Sequence, residues 1–307
     1  MNLLVGTHDP AWGHTFLARG SGKVYALRSL GEGSSLCLFD GASMAPLGEF
    51  PTPGAHSCHI TLLERQAVVS DYTSGTLSLF PLGADGMPAG EPAVLPFEGK
   101  GPHPVRQAGP HIHSSWLSPD GRSLVVVDLG SDKLYRFPVR DGCMLPEERK
   151  CFPVPAGCGP RHCAFGAGVL YVATELSDEV LVFSWPHMRL LQRCVTNPLR
   201  PGGGGHVLVG PGGRYLYVSS RLQNDGIAVF RIGGDGLLTE AGYCPTGAHP
   251  RHFTISPDGR LLLVACRDDD QIQLFNLSAS DGMLSDTGES FPVSRPVYVE
   301  VYEEDRL

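Results

Sequence analysis

Apolar and polar positions along this chain follow a pattern that recurs every 40 to 55 residues. Its clearest instance is His249–Asp281, HPRHFTISPDGRLLLVACRDDDQIQLFNLSASD. HFTISP predicts a short strand and Asp258-Gly259 a tight turn. Leu261–Ala265 is apolar throughout, which predicts a strand buried on both faces. Asp268–Gln271 reads as a polar turn, with its charge run Asp268–Asp270 solvated. Ile272–Leu277 alternates with period two and so puts successive side chains on opposite faces. SASDG then turns the chain toward a short fourth strand near Met283–Asp286. Copies of this unit begin at His14, Gly54, Gly109, Gly159, Gly203 and Gly247, at intervals of 40, 55, 50, 44 and 44 residues.

Four strands in about 40 residues, repeated, are the signature of a β-propeller blade. A last start at Ser294, SRPVYVEVYEED, supplies one strand, and the N-terminal MNLLVG is a strand without a partner in its own repeat. The first and last segments are therefore expected to share a seventh, incomplete blade, which would remove the exposed edges of an open sheet. The expectation is an all-β, seven-bladed propeller of four-stranded blades forming a single domain over residues 1–307.

Composition narrows the function. Gly 39 and Pro 26 are high, but they fall at the periodic turns rather than in a low-complexity run. A net charge of −8 argues against nucleic-acid or anionic-membrane partners, while leaving room for a small anionic substrate at a local cluster of Arg and His. The N-terminal apolar run is about five residues with no basic region, and no stretch approaches the roughly 18 apolar residues of a spanning helix. A cytoplasmic protein is expected, monomeric or weakly homo-oligomeric. Nine cysteines without a C-x-x-C pair are read as buried reduced thiols, as for Cys163 and Cys266 on predicted strands. No metal site and no cofactor are expected, since no H-E-x-x-H or similar spacing occurs.

The candidate chemistry follows from blade geometry. Residues just before strand one and just after strand two of each blade should crowd at one rim of a propeller. Before or at strand one stand His56 and His59, His111 and His113, Arg161 and His162, His206, then His249, Arg251 and His252. After strand two stand Asp71, Asp128, Glu175, Arg221 and Arg267. Taken singly, several of these histidines are as well explained by structural hydrogen bonds between strands, and the Asp of each S-P-D-G-R turn by the turn itself. Pro201–Gly205 lacks the Lys and following helix of a phosphate loop and reads as a place of close backbone approach. What remains suits acyl or lactone chemistry. His113 is a candidate general acid or base, and Glu175 a candidate to orient it or to take the proton itself. Arg161 and Arg221 are candidates to bind an anionic group or to stabilise charge on a carbonyl oxygen.

The blocks GPHPVRQAGPHIHSSWLSPDGR, GPRHCAFGAGVLYVATELSDEV, GGHVLVGPGGRYLYVSSR and HPRHFTISPDGRLLLVA resemble the lactonase family of seven-bladed propellers. That family includes propeller-type 6-phosphogluconolactonases and fungal 3-carboxy-cis,cis-muconate lactonizing enzymes. The likeness runs from about His14 to Asp286, with Thr174 where the family commonly has Asn. By motif position it implies catalytic roles for His113, Arg161, Glu175 and Arg221. The expected function is hydrolysis of a small anionic sugar lactone, foremost 6-phosphoglucono-1,5-lactone. Arg106, His111, His162, His206, His249 and Arg251 are the expected substrate-binding residues. The alternatives are a muconate-type cycloisomerase using the same residues, and a non-enzymatic propeller binding a ligand or protein there.

Overall fold

The computed structural model describes residues 2–8, 13–31 and 33–302. Met1 of the first predicted strand and residues 303–305 of the last one lie outside them. The chain divides into two compact units. Strand β1 (Asn2–Thr7) belongs to the C-terminal unit, with residues 160–302. The N-terminal unit comprises the described residues of 13–159.

The N-terminal unit holds three antiparallel meanders. The first is β2 (His14–Gly20), β3 (Lys23–Leu30), β4 (Gly33–Asp40) and β5 (Pro46–Thr52). The second is β6 (Ser57–Leu62), β7 (Gln66–Asp71), β8 (Thr76–Pro81) and β9 (Ala93–Pro96). The third has five strands: β10 (Ile112–Leu117), β11 (Ser123–Asp128), β12 (Lys133–Arg140), and β13 (Cys143–Met144) and β14 (Lys150–Pro153), both paired with β12. The C-terminal unit holds three more. They are β15 (Pro160–Gly166) to β18 (Leu190–Val195) through β16 (Val169–Thr174) and β17 (Glu179–Ser184), and β19 (Gly204–Val209) to β22 (Leu238–Pro245) through β20 (Tyr215–Ser220) and β21 (Gly226–Ile232). The last is β23 (Pro250–Ile255), β24 (Leu261–Cys266), β25 (Gln271–Leu277) and β26 (Leu284–Pro292). Strand β27 (Pro296–Tyr302) pairs antiparallel with β1, Leu3 opposite Val301 and Val5 opposite Val299.

The last strand of each meander is its most exposed. All six residues of β16 are buried, as are five of six in β11 and β24, whereas β18 alternates at a largely exposed surface. That gradient accounts for the uniformly apolar second strands, whose side chains are buried whichever face they point to. In the C-terminal unit, side chains of adjacent sheets interleave: Tyr171, Val182, Val218 and Phe230 share one cluster, and Tyr217, Phe253, Val264 and Phe275 another. Each such fully buried side chain contributes about 1.5–3 kcal/mol. Val299 and Val301 of β27 close the last cluster against Leu263, Ala265, Ile272 and Leu274.

Three repeated devices fix the meanders. Tyr25, Tyr171 and Tyr217, all on second strands, donate their hydroxyls to the carbonyls of Gly86, Gly236 and Gly282 in the last hairpin of the following meander, at 2.6, 2.9 and 2.9 Å. Those glycines have φ of 79°, 81° and 73°, and a Cβ on Gly236 would lie 2.7 Å from Val169, so only glycine fits. A second device is a carboxylate after strand two that ties down the segment leading into the next repeat. Asp132 accepts the N–H groups of Gly157 and Gly159, Asp178 those of Gly202 and Gly203, Asp225 that of His249, and Asp270 that of Arg295. The third is a β-bulge near the start of every innermost strand. The residue extruded is Thr15, Cys58, His113, Arg161 or Arg251, and in β19 Gly205 and His206 together oppose Ser219. A bulge re-aims a side chain out of the alternation.

The fold is all-β and of propeller type, with six meanders of four or five strands and one two-stranded sheet rather than seven four-stranded blades. The two termini do supply that last sheet together, as their unmatched strands require. The S-P-D-G-R aspartates are structural: Asp120 and Asp258 each accept from the Ser two residues back and the Arg amide two residues on. The stretch Asp268–Asp270 is the exposed turn expected of it, and its carboxylates also make specific contacts. Asp269 accepts the Ala248 amide, Asp270 latches Arg295, and Asp268 pairs with Arg267 and His249.

Candidate active site

In the C-terminal unit, Arg161, Glu175 and Arg221 meet although Glu175 stands 14 residues from Arg161 and 46 from Arg221 along the chain. Arg161 is the bulged residue of β15, while Glu175 and Arg221 are the residues immediately after β16 and β20. One carboxylate oxygen, Glu175 Oε2, accepts from Arg161 Nε at 3.0 Å and from Arg221 Nη2 at 3.1 Å. All three residues are buried. Two guanidiniums against one carboxylate leave a net positive charge in a place of weak screening, where a charge is felt strongly.

The glycine run explains how two arginines can be packed so closely. Gly203, Gly204 and Gly205 present consecutive carbonyls, which accept from Arg221 Nε (2.9 Å), Arg221 Nη2 (2.9 Å) and Arg161 Nη1 (3.0 Å). A Cβ on Gly204 would sit 1.9 Å from the Thr174 carbonyl oxygen, and one on Gly203 2.2 Å from that of Arg221. Close backbone approach is therefore what this run supplies, as its lack of a Lys and a helix suggests.

His249 extends the network. Its Nε2 lies 3.4 Å from Arg221 Nη1 and its Nδ1 3.3 Å from Asp268 Oδ2. A guanidinium only donates, so Nε2 accepts, and the ring proton sits on Nδ1 facing Asp268. Burial first, then Arg221, Arg267 and Arg251, push His249 down to about 3, against the opposing pull of Asp268. It is neutral at physiological pH, and its contact with Asp268 is a hydrogen bond.

His162, His206 and His252 form a column. The Nδ1 atoms of His162 and His206 are 2.8 Å apart, so the two rings hold opposite tautomers with one proton between them. His206 stacks on His252 at 4.1 Å, and His252 on Tyr298 at 4.5 Å. His252 is pushed down to about 3 by burial and by Arg161. The three rings thus contact one another, and His252 lies close enough to Arg161 to feel its charge. Arg251, half-buried, is the bulged residue of β23.

In the N-terminal unit, Arg106, His111 and His113 gather about Tyr72, which the sequence pattern did not single out. His111 stacks on the Tyr72 ring at 4.4 Å, and its Nδ1 is 2.8 Å from the Tyr72 carbonyl oxygen. His113 meets the same ring edge-on at 5.8 Å, and Arg106 Nη2 donates to the Tyr72 hydroxyl at 3.2 Å. The loop carrying Arg106 winds around the buried Gln107, whose amide donates to the Leu129 carbonyl. Tyr72 directly follows β7, the position Glu175 and Arg221 occupy after their own second strands. That register was the available signal.

Among the described residues no three His, Cys, Asp or Glu side chains cluster as metal ligands, and no two cysteines form a disulfide. Burial raises Cys37, Cys194 and Cys244 to about 11 and Cys266 to about 12.

A family profile described as Lactonase, 7-bladed β-propeller matches residues 7–301. The chain belongs to this lactonase family. Among its relatives, the 6-phosphogluconolactonase of Bacillus subtilis (strain 168) is 31% identical over 260 residues, covering 80% of this chain and 73% of that one. A crystal structure of a candidate 6-phosphogluconolactonase from Bacteroides fragilis superposes with a TM-score of 0.90 at 30% identity, covering 98% and 97% of the two chains. The periplasmic gluconolactonase of Pseudomonas aeruginosa matches with a TM-score of 0.82 at 25% identity, covering 97% and 98%. The lactonase family thus accounts for the whole set of meanders. Among the described residues no helix is long and apolar enough to cross a membrane.

Proposed function

We propose that this protein is a lactonase that hydrolyses a small anionic sugar lactone, with 6-phosphoglucono-1,5-lactone as its substrate. The observation that carries the reading is the buried Arg161–Glu175–Arg221 cluster, one carboxylate shared by two guanidiniums in a member of a lactonase family. Relatives named 6-phosphogluconolactonase supply the substrate. In this reading Arg161 offsets the negative charge that develops on the lactone oxygen when water attacks the carbonyl. Glu175, with one oxygen engaged by both arginines, holds them in place. His113, which occupies the same bulge position in its own repeat as Arg161 and Arg251 do in theirs, is the candidate general acid or base that the repeat pattern offers. No metal or cofactor enters the scheme.

The β1–β27 pair is proposed as the seventh blade of a single domain, supported by the seven-bladed description of the family. A cytoplasmic location is supported by the thiols that burial keeps protonated. The test is a substrate panel. Accelerated hydrolysis of 6-phosphoglucono-1,5-lactone above its spontaneous rate is expected, with no turnover of muconate-type lactones. Turnover of the muconate type alone would establish the cycloisomerase alternative instead.

A further inference from the structure

We propose that Asp178 is a positioning residue for the reaction: by gripping the Gly202 and Gly203 amides it fixes the carbonyl cradle that aims Arg221 and Arg161. The inference rests on the lactonase reading and adds to it a residue that acts through the backbone.

The turn between β16 and β17 carries two carboxylates with different tasks. Glu175 directly follows β16 and holds the two guanidiniums. Asp178 directly precedes β17 and is fully buried. Its Oδ2 accepts the Gly202 amide at 2.7 Å and its Oδ1 the Gly203 amide at 3.1 Å. Two oxygens on two consecutive amides fix both the place and the tilt of the strap that leads into β19. The turn is itself closed by Thr174, whose Oγ1 accepts the Glu179 amide at 3.0 Å and donates to the Glu179 carbonyl at 2.9 Å. Asp178 is thus presented from a fixed frame.

The acceptor side of the same strap meets the arginines. The Gly203 carbonyl accepts Arg221 Nε at 2.9 Å and the Arg221 amide at 3.0 Å. The Gly204 carbonyl accepts Arg221 Nη2 at 2.9 Å, and the Gly205 carbonyl accepts Arg161 Nη1 at 3.0 Å. Arg221 Nη2 and Arg161 Nε then share one oxygen of Glu175. A shift of the strap therefore reaches both guanidiniums, and a misplacement of about 1 Å can cost about a hundredfold in rate. Asp178→Asn keeps the shape of the side chain but turns an N–H donor toward an amide donor, so one of the two grips is lost. Asp270 provides the comparison, because it latches the corresponding segment of the next repeat through the Arg295 amide at 2.7 Å.

The experiment measures kcat and KM for 6-phosphoglucono-1,5-lactone in wild type, Asp178→Asn and Asp270→Asn. Beside these it follows the NMR signal of the Arg221 Nε–H, identified by its absence in Arg221→Lys. Asp178→Asn is expected to lower kcat on the order of tenfold or more with KM nearly unchanged, since the interaction lost is one made to the transition state. It should also shift the Arg221 Nε–H signal. Asp270→Asn should lower the melting midpoint while leaving kcat, KM and that signal as in wild type. If Asp178→Asn does not fold, Asp178→Ser, which is smaller and still accepts one amide, is read in the same way. A folded Asp178 variant with the Arg221 signal and kcat of wild type would overturn the proposal even if the protein is a lactonase. A wild type that turns over no lactone, with the signal displaced in the Asp178 variant, would sink the lactonase reading and leave the positioning of Arg221 standing.

Discussion

Glu175 balances two buried guanidiniums with a single oxygen, and its removal leaves both without their carboxylate. Breaking a buried charge pair from one side costs about 3–5 kcal/mol. Glu175→Gln is therefore expected to lower the unfolding free energy by that order, seen as a lower denaturant midpoint at unchanged slope, as well as to impair turnover. Another consequence at this scale concerns acid. His252 has an ordinary value of 6.5 and is held at about 3 in the folded protein. Between those limits the unfolded chain binds a proton that the folded chain refuses, so stability is complete above pH 6.5 and is lost as pH falls toward 3. Each such histidine contributes a slope of about 1.4 kcal/mol per pH unit, and His249 acts in the same direction. Asp71, Asp128 and Asp178 are raised by burial and act oppositely above pH 3.8, but they are common to any variant pair. The stability difference between wild type and His252→Gln should thus change with pH by about one proton's worth, as read from urea melts at about pH 4.5 and 7.

At the scale of elements, the tyrosine-to-glycine ties set the spacing of adjacent meanders. Tyr171→Phe strands the Gly236 carbonyl, and the expected cost is about 1–3 kcal/mol, with lactone turnover unchanged. A comparison of melting midpoint and activity for this variant checks both halves. The strands themselves are legible in the sequence because second strands are apolar on both faces and the D-G turns punctuate them. The pattern predicts a strand over Leu261–Ala265, and β24 spans Leu261–Cys266. The short β13, two residues long, carries no periodicity to detect. Nor do the bulges, which interrupt alternation by a single residue yet decide where His113, Arg161 and Arg251 point. The carboxylates of Asp268–Asp270 are exposed, as their run of charge implies, but the partners of Asp269 and Asp270 cannot be read from it because they are remote in sequence. Asp269 reaches back 21 residues to Ala248, and Asp270 reaches forward 25 to Arg295 at the start of the next repeat.

For the whole molecule, the pairing of β1 with β27 joins the two ends of the chain, and Val299 packs against Leu263 and Leu274. Removal of residues 1–7 uncovers the hydrogen-bonding edge of β27. It is expected to lower the melting temperature by several degrees and to promote association at high concentration, seen by light scattering. Arg161, Glu175 and Arg221, which the structure brings together, can be named from repeat position, since equivalent positions in successive repeats recur at equivalent places. The sharing of one Glu175 oxygen, the Gly203–Gly205 carbonyl cradle and Tyr72 cannot, because each depends on side-chain contacts between segments far apart in sequence. The most direct test of the account is the rate of 6-phosphoglucono-1,5-lactone hydrolysis by Arg161→Ala beside wild type, with folding verified in both. The arrangement predicts a loss on the order of a hundredfold or more in turnover. A variant that folds and hydrolyses the lactone as fast as wild type would contradict it.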